Sequence, residues 1–196
     1  MAPAPGPQPA RRLRDVVAAR PRLLLVGINP GLRSGAVGHH FAGAGNPFWR
    51  LLHAARLTPR LLSYAEDQRL RDLGIALTNL CPRTTRTAAE LTTAELTRGR
   101  AALARKIARW RPAVVAFVGV SVYRTVCGVS GGPGPGMKRH TVAGSRVFVV
   151  PNPSGLNASF PGFEDKLRWY RALGRFVDRA APAPVRAALA RKLVAL

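Results

Sequence analysis

The sequence predicts an α/β domain, a three-layer αβα arrangement around a mainly parallel central sheet of about four strands. Three observations support this. Continuous apolar runs at 23–28, 75–79, 113–119 and 146–150 read as strands buried on both faces. Stretches with helical spacing separate them, so strand and helix alternate along the chain. Several runs also end abruptly in Gly, Asn or Pro, as strands do where an open α/β sheet forms its ligand crevice.

The elements follow in order. Residues 1–12 form a Pro-rich N-terminal tail, expected to be flexible. Arg11, Arg12 and Arg14 open a short helix expected to end near Ala19. The first strand stops in Gly27-Ile28-Asn29-Pro30-Gly31, where Gly27 and Gly31 are expected to permit sharp changes of direction. A structureless, functional loop is expected over 29–45, with five glycines. Asn46-Pro47 reads as a cap and first helical residue, followed by core-facing Phe48, Leu51, Leu52 and Ala55. A helix over Glu66–Leu73 stops at Gly74, and the strand Ile75–Asn79 ends in a second asparagine. Thr92-Thr93-Ala94-Glu95 reads as a capping box opening a helix through Trp110, whose Arg98, Arg100, Arg105 and Arg109 suit a solvated face.

Ser121 is expected to cap the helix after the third strand. Gly131–Gly136 reads as a connector and lacks the Lys-Ser/Thr of a phosphate loop. The last strand runs into Pro151–Asn157, and a helix over 162–179 closes a domain spanning 13–179. Residues 180–196 read as a linker and a short amphipathic helix. The ends at Asn29, Asn79 and Pro151–Asn157 are expected to converge on one edge.

Thirty-one basic against nine acidic residues give a formal charge of +22. This points to an anionic partner, foremost nucleic acid, although drift toward arginine also produces a basic surface. Two cysteines are too few for a zinc ribbon or a four-thiolate cluster. Cys127 is expected in the core, and Cys81 at a pocket. With no signal peptide and no apolar run of membrane-spanning length, a cytoplasmic monomer that does not engage membranes is expected.

None of the nine carboxylates falls in the three converging loops. A hydrolase using a carboxylate as base or nucleophile needs one there. Asn29 cannot accept a proton but can hold a water, so positioning and charge stabilisation would have to carry catalysis.

Gly27-Ile28-Asn29-Pro30-Gly31-Leu32, Gly38-His39-His40-Phe41, Gly45-Asn46-Pro47-Phe48-Trp49, Gly74–Asn79 and Arg83-Thr84-Thr85 together resemble the thymine-DNA glycosylase and mismatch-specific uracil-DNA glycosylase family. Asn152-Pro153-Ser154-Gly155-Leu156 is similar to its bacterial branch, whereas Ser159-Phe160-Pro161 is closer to the eukaryotic one. The resemblance spans roughly residues 20–178 and implies a uracil-DNA glycosylase-like fold. The implied activity is hydrolysis of the N-glycosidic bond of uracil, or of thymine or other damaged bases, mispaired with guanine in duplex DNA. The base would be flipped out of the helix, leaving an abasic site for base excision repair.

By the same resemblance Asn29 positions the attacking water. Ile28, Gly31, Ser34, His40, Phe41, Asn79 and Thr85 surround the base, with Phe41 stacking on it. Ser154, Gly155, Leu156 and Asn157 enter the duplex, with Leu156 as an apolar wedge. No metal or other cofactor is expected. Ala158 stands where both branches often carry an arginine, and Asn79 differs from the lysine common in the bacterial branch. Structural roles also fit some of these residues: Phe41 as core, His39 and His40 as backbone-bonded loop residues, Asn79 as a turn residue. The alternative function is a non-catalytic protein on the same fold that binds mismatches or abasic sites.

Overall fold

The computed structural model describes residues 13–131, 134–155 and 157–180. The tail expected over 1–12, and all of 180–196 except Ala180, lie outside the described residues. A five-stranded sheet of order β2-β1-β3-β5-β4 forms the centre. β1 (Leu23–Gly27), β2 (Ile75–Asn79), β3 (Val114–Val118) and β5 (Ser145–Val150) are parallel. β4 (Gly136–Val142) runs antiparallel to β5 on the outside.

Alternate strand residues feed two cores, as the two-residue period of a strand dictates. Leu23, Leu25, Ile75, Leu77, Val114 and Ala116 face α2 (Phe48–Ala54) and α5 (Phe163–Ala180). Leu24, Val26, Ala76, Val115 and Phe117 face α3 (Thr93–Trp110) and α4 (Val120–Cys127). Burial on both faces explains why these strands read as unbroken apolar runs. The capping box of α3 forms as expected: Glu95 N donates to Thr92 Oγ1 (3.2 Å) and Thr92 N to Glu95 Oε2 (2.8 Å). Arg98, Arg100, Arg105 and Arg109 lie on its exposed side.

Several local expectations are corrected. The described residues near the N-terminus are extended rather than helical. Val16 pairs with Leu77 through two 2.9 Å backbone bonds and covers the open edge of β2. Thr78 Oγ1 donates to Asp15 Oδ1 (2.6 Å), and Lys106 Nζ sits 2.7 Å from Asp15 Oδ2, so a tertiary network overrides local helical tendency.

The stretch 29–45 contains a helix, α1 (Leu32–Val37), stopped by left-handed Gly38. Its Gly35 lies against the Thr84 side chain, a close approach that the glycine content had suggested was a loop. Gly31 is extended (φ −73°) and needs no glycine. Tyr64–Leu73 is a 3-10 segment rather than an α-helix. Pro47, not Asn46, occupies the cap of α2, although Asn46 Oδ1 still accepts from Phe48 N (3.0 Å).

Gly119 precedes α4 at φ 126°, so Ser121 lies inside the first turn and does not cap it. β4 was not expected. It is a polar, cation-bearing edge strand, and it is joined to β5 by Ala143-Gly144, both at positive φ. Cys81 is buried against Glu95 O rather than lining a cavity, and Cys127 is half-buried beside His140.

α3 packs on the end of β2 through Gly99, where an added Cβ would lie 2.5 Å from Leu80 O and 3.2 Å from Cys81 Sγ. Gly99→Ala gains about 1 kcal/mol of helix propensity. The overpacking against backbone costs about 1–3 kcal/mol and outweighs it. The variant is expected to unfold at lower urea concentration than the parent, measured by equilibrium denaturation.

Candidate active site

Because β1, β2, β3 and β5 are parallel, their C-terminal ends lie on one edge, and a cavity of about 570 Å³ opens there. Ile28 and Asn29 after β1, Asn79 at the end of β2, Gly119 after β3 and Asn152 after β5 all line it. The expected convergence is therefore present. Among the described lining residues there is no carboxylate, whereas Arg33 and Arg86 add positive charge.

Asn29 is held by its amide nitrogen. Nδ2 faces three acceptors with its two hydrogens, Thr85 Oγ1 (2.6 Å), Arg83 O (3.0 Å) and, sharing one of them, Pro30 O (3.2 Å). Two of these are carbonyls, which only accept, so the orientation of the amide is forced. Thr85 Oγ1 donates its own hydrogen to Thr87 O (2.7 Å) and keeps lone pairs for Asn29. No donor among the described residues bonds Asn29 Oδ1. The site thus presents an oriented amide oxygen able to accept a hydrogen bond from a water but unable to take its proton.

The supports of Asn29 reach back into α3. Arg83 pairs with Glu95, Nε to Oε1 at 2.5 Å and Nη2 to Oε2 at 3.0 Å, and also donates to Glu90 O (2.5 Å). Thr85 N donates to Pro30 O (3.1 Å), tying the 83–87 loop to the turn after β1.

One wall comes from Asn79 and Phe41, which meet over Gly27. A Cβ on Gly27 would collide with Asn79 Oδ1 and come within 3.7 Å of Phe41 Cζ. Gly27 is needed for this close approach and not for an unusual φ. Phe41 lines the cavity while stacking on Phe48, with centroids 3.8 Å apart and planes 16° from parallel. His40 also lines the cavity but is buried, and its Nε2 donates to Arg14 O (2.9 Å). Burial depresses its basicity and favours the neutral ring.

Ser34 lines the cavity with its Oγ engaged by Ala42 N (3.0 Å), and Gly31 and Ile28 contribute to the rim. In the last loop, Ser154 and Asn157 line the cavity. Asn152 Oδ1 accepts from Ser154 N (2.9 Å), and Asn157 Nδ2 donates to Asn152 O (3.0 Å). The buried Tyr170 hydroxyl donates to Pro151 O (3.3 Å), tying the start of this loop to α5. Gly155 is exposed and does not line the cavity, and Leu156 lies outside the described residues.

Leu13, Arg33 and Arg86 line the cavity without having been singled out, and Ser121 and Phe160 line it without having been assigned to the site. Asn152 was visible as a loop residue, but its part in shaping the loop was not. Among the described residues no cluster of three or more His, Cys, Asp or Glu could hold a metal ion, and no helix is long and apolar enough to cross a membrane.

The Glu95 carboxyl lies at about 2, below the ordinary 4.5, through its bond to Arg83 and then through the Thr92 amide. A depressed folded value stabilises the native state above the unfolded value, and this contribution is lost as pH falls through the folded one. The melting-temperature gap between the parent and Glu95→Gln is therefore expected to be constant above about pH 5 and to shrink from pH 4.5 toward 2. Thermal melts across that range measure it.

A model of the uracil DNA glycosylase superfamily matches residues 14–174. Among solved structures, the chain is similar to an NMR structure described as a candidate uracil DNA glycosylase from Methanosarcina acetivorans. The TM-score is 0.59 at 18% identity, covering 86% of this chain and 98% of the other. That likeness concerns the fold, whereas the family match covers both the sheet and the loops of the cavity. The chain belongs to the uracil DNA glycosylase superfamily.

Proposed function

We propose that this chain is a monofunctional DNA glycosylase that removes uracil, with thymine and other damaged bases as further candidate substrates, mispaired with guanine in duplex DNA. The observation that carries this reading is the oriented Asn29 carboxamide in a cavity whose described lining holds no carboxylate. The flipped pyrimidine stacks on Phe41, with Asn79 and the neutral His40 beside it. The bond from the sugar C1′ to the base nitrogen breaks, and its electron pair leaves with the base. A water hydrogen-bonded to Asn29 Oδ1 adds its oxygen to C1′ and loses its proton to solvent, giving the abasic site.

No side chain in this scheme takes that proton, so rate enhancement comes from positioning and from stabilising developing charge, and turnover is slow. Ser154, Gly155, Leu156 and Asn157 occupy the space the nucleotide vacates, with Arg33 and Arg86 near the backbone phosphates. The reaction calls for no metal or cofactor. The chain acts as a monomer on cytoplasmic DNA.

The acceptor set around Asn29 explains why the residue is an amide. An aspartate would set an oxygen against the Pro30 and Arg83 carbonyls, and the one donor in reach, the Thr85 hydroxyl, would have to give up its bond to Thr87 O.

Single-turnover release of uracil from a G·U duplex by purified protein tests the reading. Asn29→Ala is expected to slow release by about 100-fold or more, with duplex binding little changed. Asn29→Asp is also expected to be slower than the parent. Thr85→Val, which removes one support of the amide, is expected to cost about tenfold. Full activity in Asn29→Ala would overturn the mechanism. Duplex binding without base release by the parent would favour the non-catalytic reading. A panel of G·U, G·T, A·U and single-stranded substrates reads the base and mismatch preference.

A further inference from the structure

Phe41 adopts φ 50°, an uncommon backbone for a residue with a side chain, and one that persists only where its surroundings hold it. The amides on both sides of it are held by side chains. Behind it, Ala42 N donates to Ser34 Oγ (3.0 Å). Ahead of it, His40 N donates to Asp67 Oδ2 (3.0 Å). Asp67 belongs to the 3-10 segment Tyr64–Leu73, does not itself line the cavity, and is only 1% exposed. Its other oxygen faces His39 Nδ1 at 3.2 Å, and neither of those two atoms has a hydrogen-bond partner.

A buried carboxylate is expensive unless it is paired, and it sits here against the two residues preceding Phe41. We propose that Asp67 is a positioning residue that holds the His39-His40-Phe41 segment so that the Phe41 ring forms the stacking wall of the cavity. The effect on base release rests on the glycosylase reading above; the effect on the segment does not.

The geometry separates this role from simple contribution to stability. Asp67 acts on Phe41 through the His40 amide, and the His40 ring keeps its own bond to Arg14 O, so the removal of Asp67 has little further to disturb once the Phe41 ring is gone. Asp67→Asn keeps an oxygen for that amide, whereas Asp67→Leu leaves the buried N–H without an acceptor. The Arg14 carbonyl still holds the His40 ring in either variant.

The test is a double-mutant cycle on single-turnover uracil release, with hydrogen–deuterium exchange of residues 38–42 measured on the DNA-free protein. Asp67→Leu is expected to slow release by about tenfold or more, with duplex affinity changed less than about threefold, since a displacement near 1 Å has effects of this size. Asp67→Asn recovers most of the lost rate. In a Phe41→Ala background, Asp67→Leu adds no further loss, and the two effects are strongly non-additive. Exchange at 38–42 rises in Asp67→Leu.

Equal losses in both backgrounds, or unchanged exchange, would overturn the proposal. If Asp67→Leu does not fold, Asp67→Ser, too short to reach the His40 amide, goes through the same cycle. A parent protein that releases no base would overturn the glycosylase reading, while raised exchange in Asp67→Leu would still support the anchoring of the Phe41 segment.

Discussion

The parallel pairing of β1 on both of its edges is the constraint on which the rest depends. β1 is registered with β2 from Leu23↔Ile75 to Gly27↔Asn79, and with β3 from Leu23↔Val114 to Val26↔Phe117. Leu23 to Val26 are 0% exposed. A strand hydrogen-bonded on both sides and packed on both faces has no room to slip, since a one-residue shift would exchange its two faces. The turn that follows, with Asn29, therefore starts from a fixed point. The same register sets Asn79 over Gly27.

From that point the site is built by loops that hold one another. The Glu95–Arg83 pair joins the start of α3 to the 83–87 loop, whose carbonyl and threonine hydroxyl orient the Asn29 amide. Glu95 thus has two tasks, capping a helix and restraining the loop beneath the site. On the opposite wall, the 3-10 segment and α1 grip the backbone around Phe41. Interactions made by residues outside the cavity lining, Glu95 and Asp67 among them, thereby set two of the groups that line it, an amide oxygen and an aromatic face.

The central strands were legible because burial on both faces leaves an unbroken apolar run that little else imitates, and the α3 capping box because its signal lies within four residues. β4 was not legible. Its exposed positions include Arg139, His140 and Thr141, its one buried position is a lysine, and an edge strand needs only one partner, supplied here by β5. α1 was hidden by Gly35, which serves contact with Thr84, and the N-terminal extension by a network joining Asp15, Thr78 and Lys106. Those residues are far apart in the chain, so no local pattern records them.

The sequence by itself determined the four parallel strands, the uracil DNA glycosylase superfamily, the placement of Asn29 at a strand end and the absence of acidic residues from its converging loops. These follow from local apolar runs, turn chemistry and composition. Only the tertiary structure decided which way the Asn29 amide points, why Gly27 has no side chain, and what holds Phe41 in its uncommon backbone. Each of these depends on groups distant in the chain, Arg83 and Thr85, Asn79, and Asp67 with Ser34 respectively. Their meeting is a consequence of packing the loops onto one edge of the sheet.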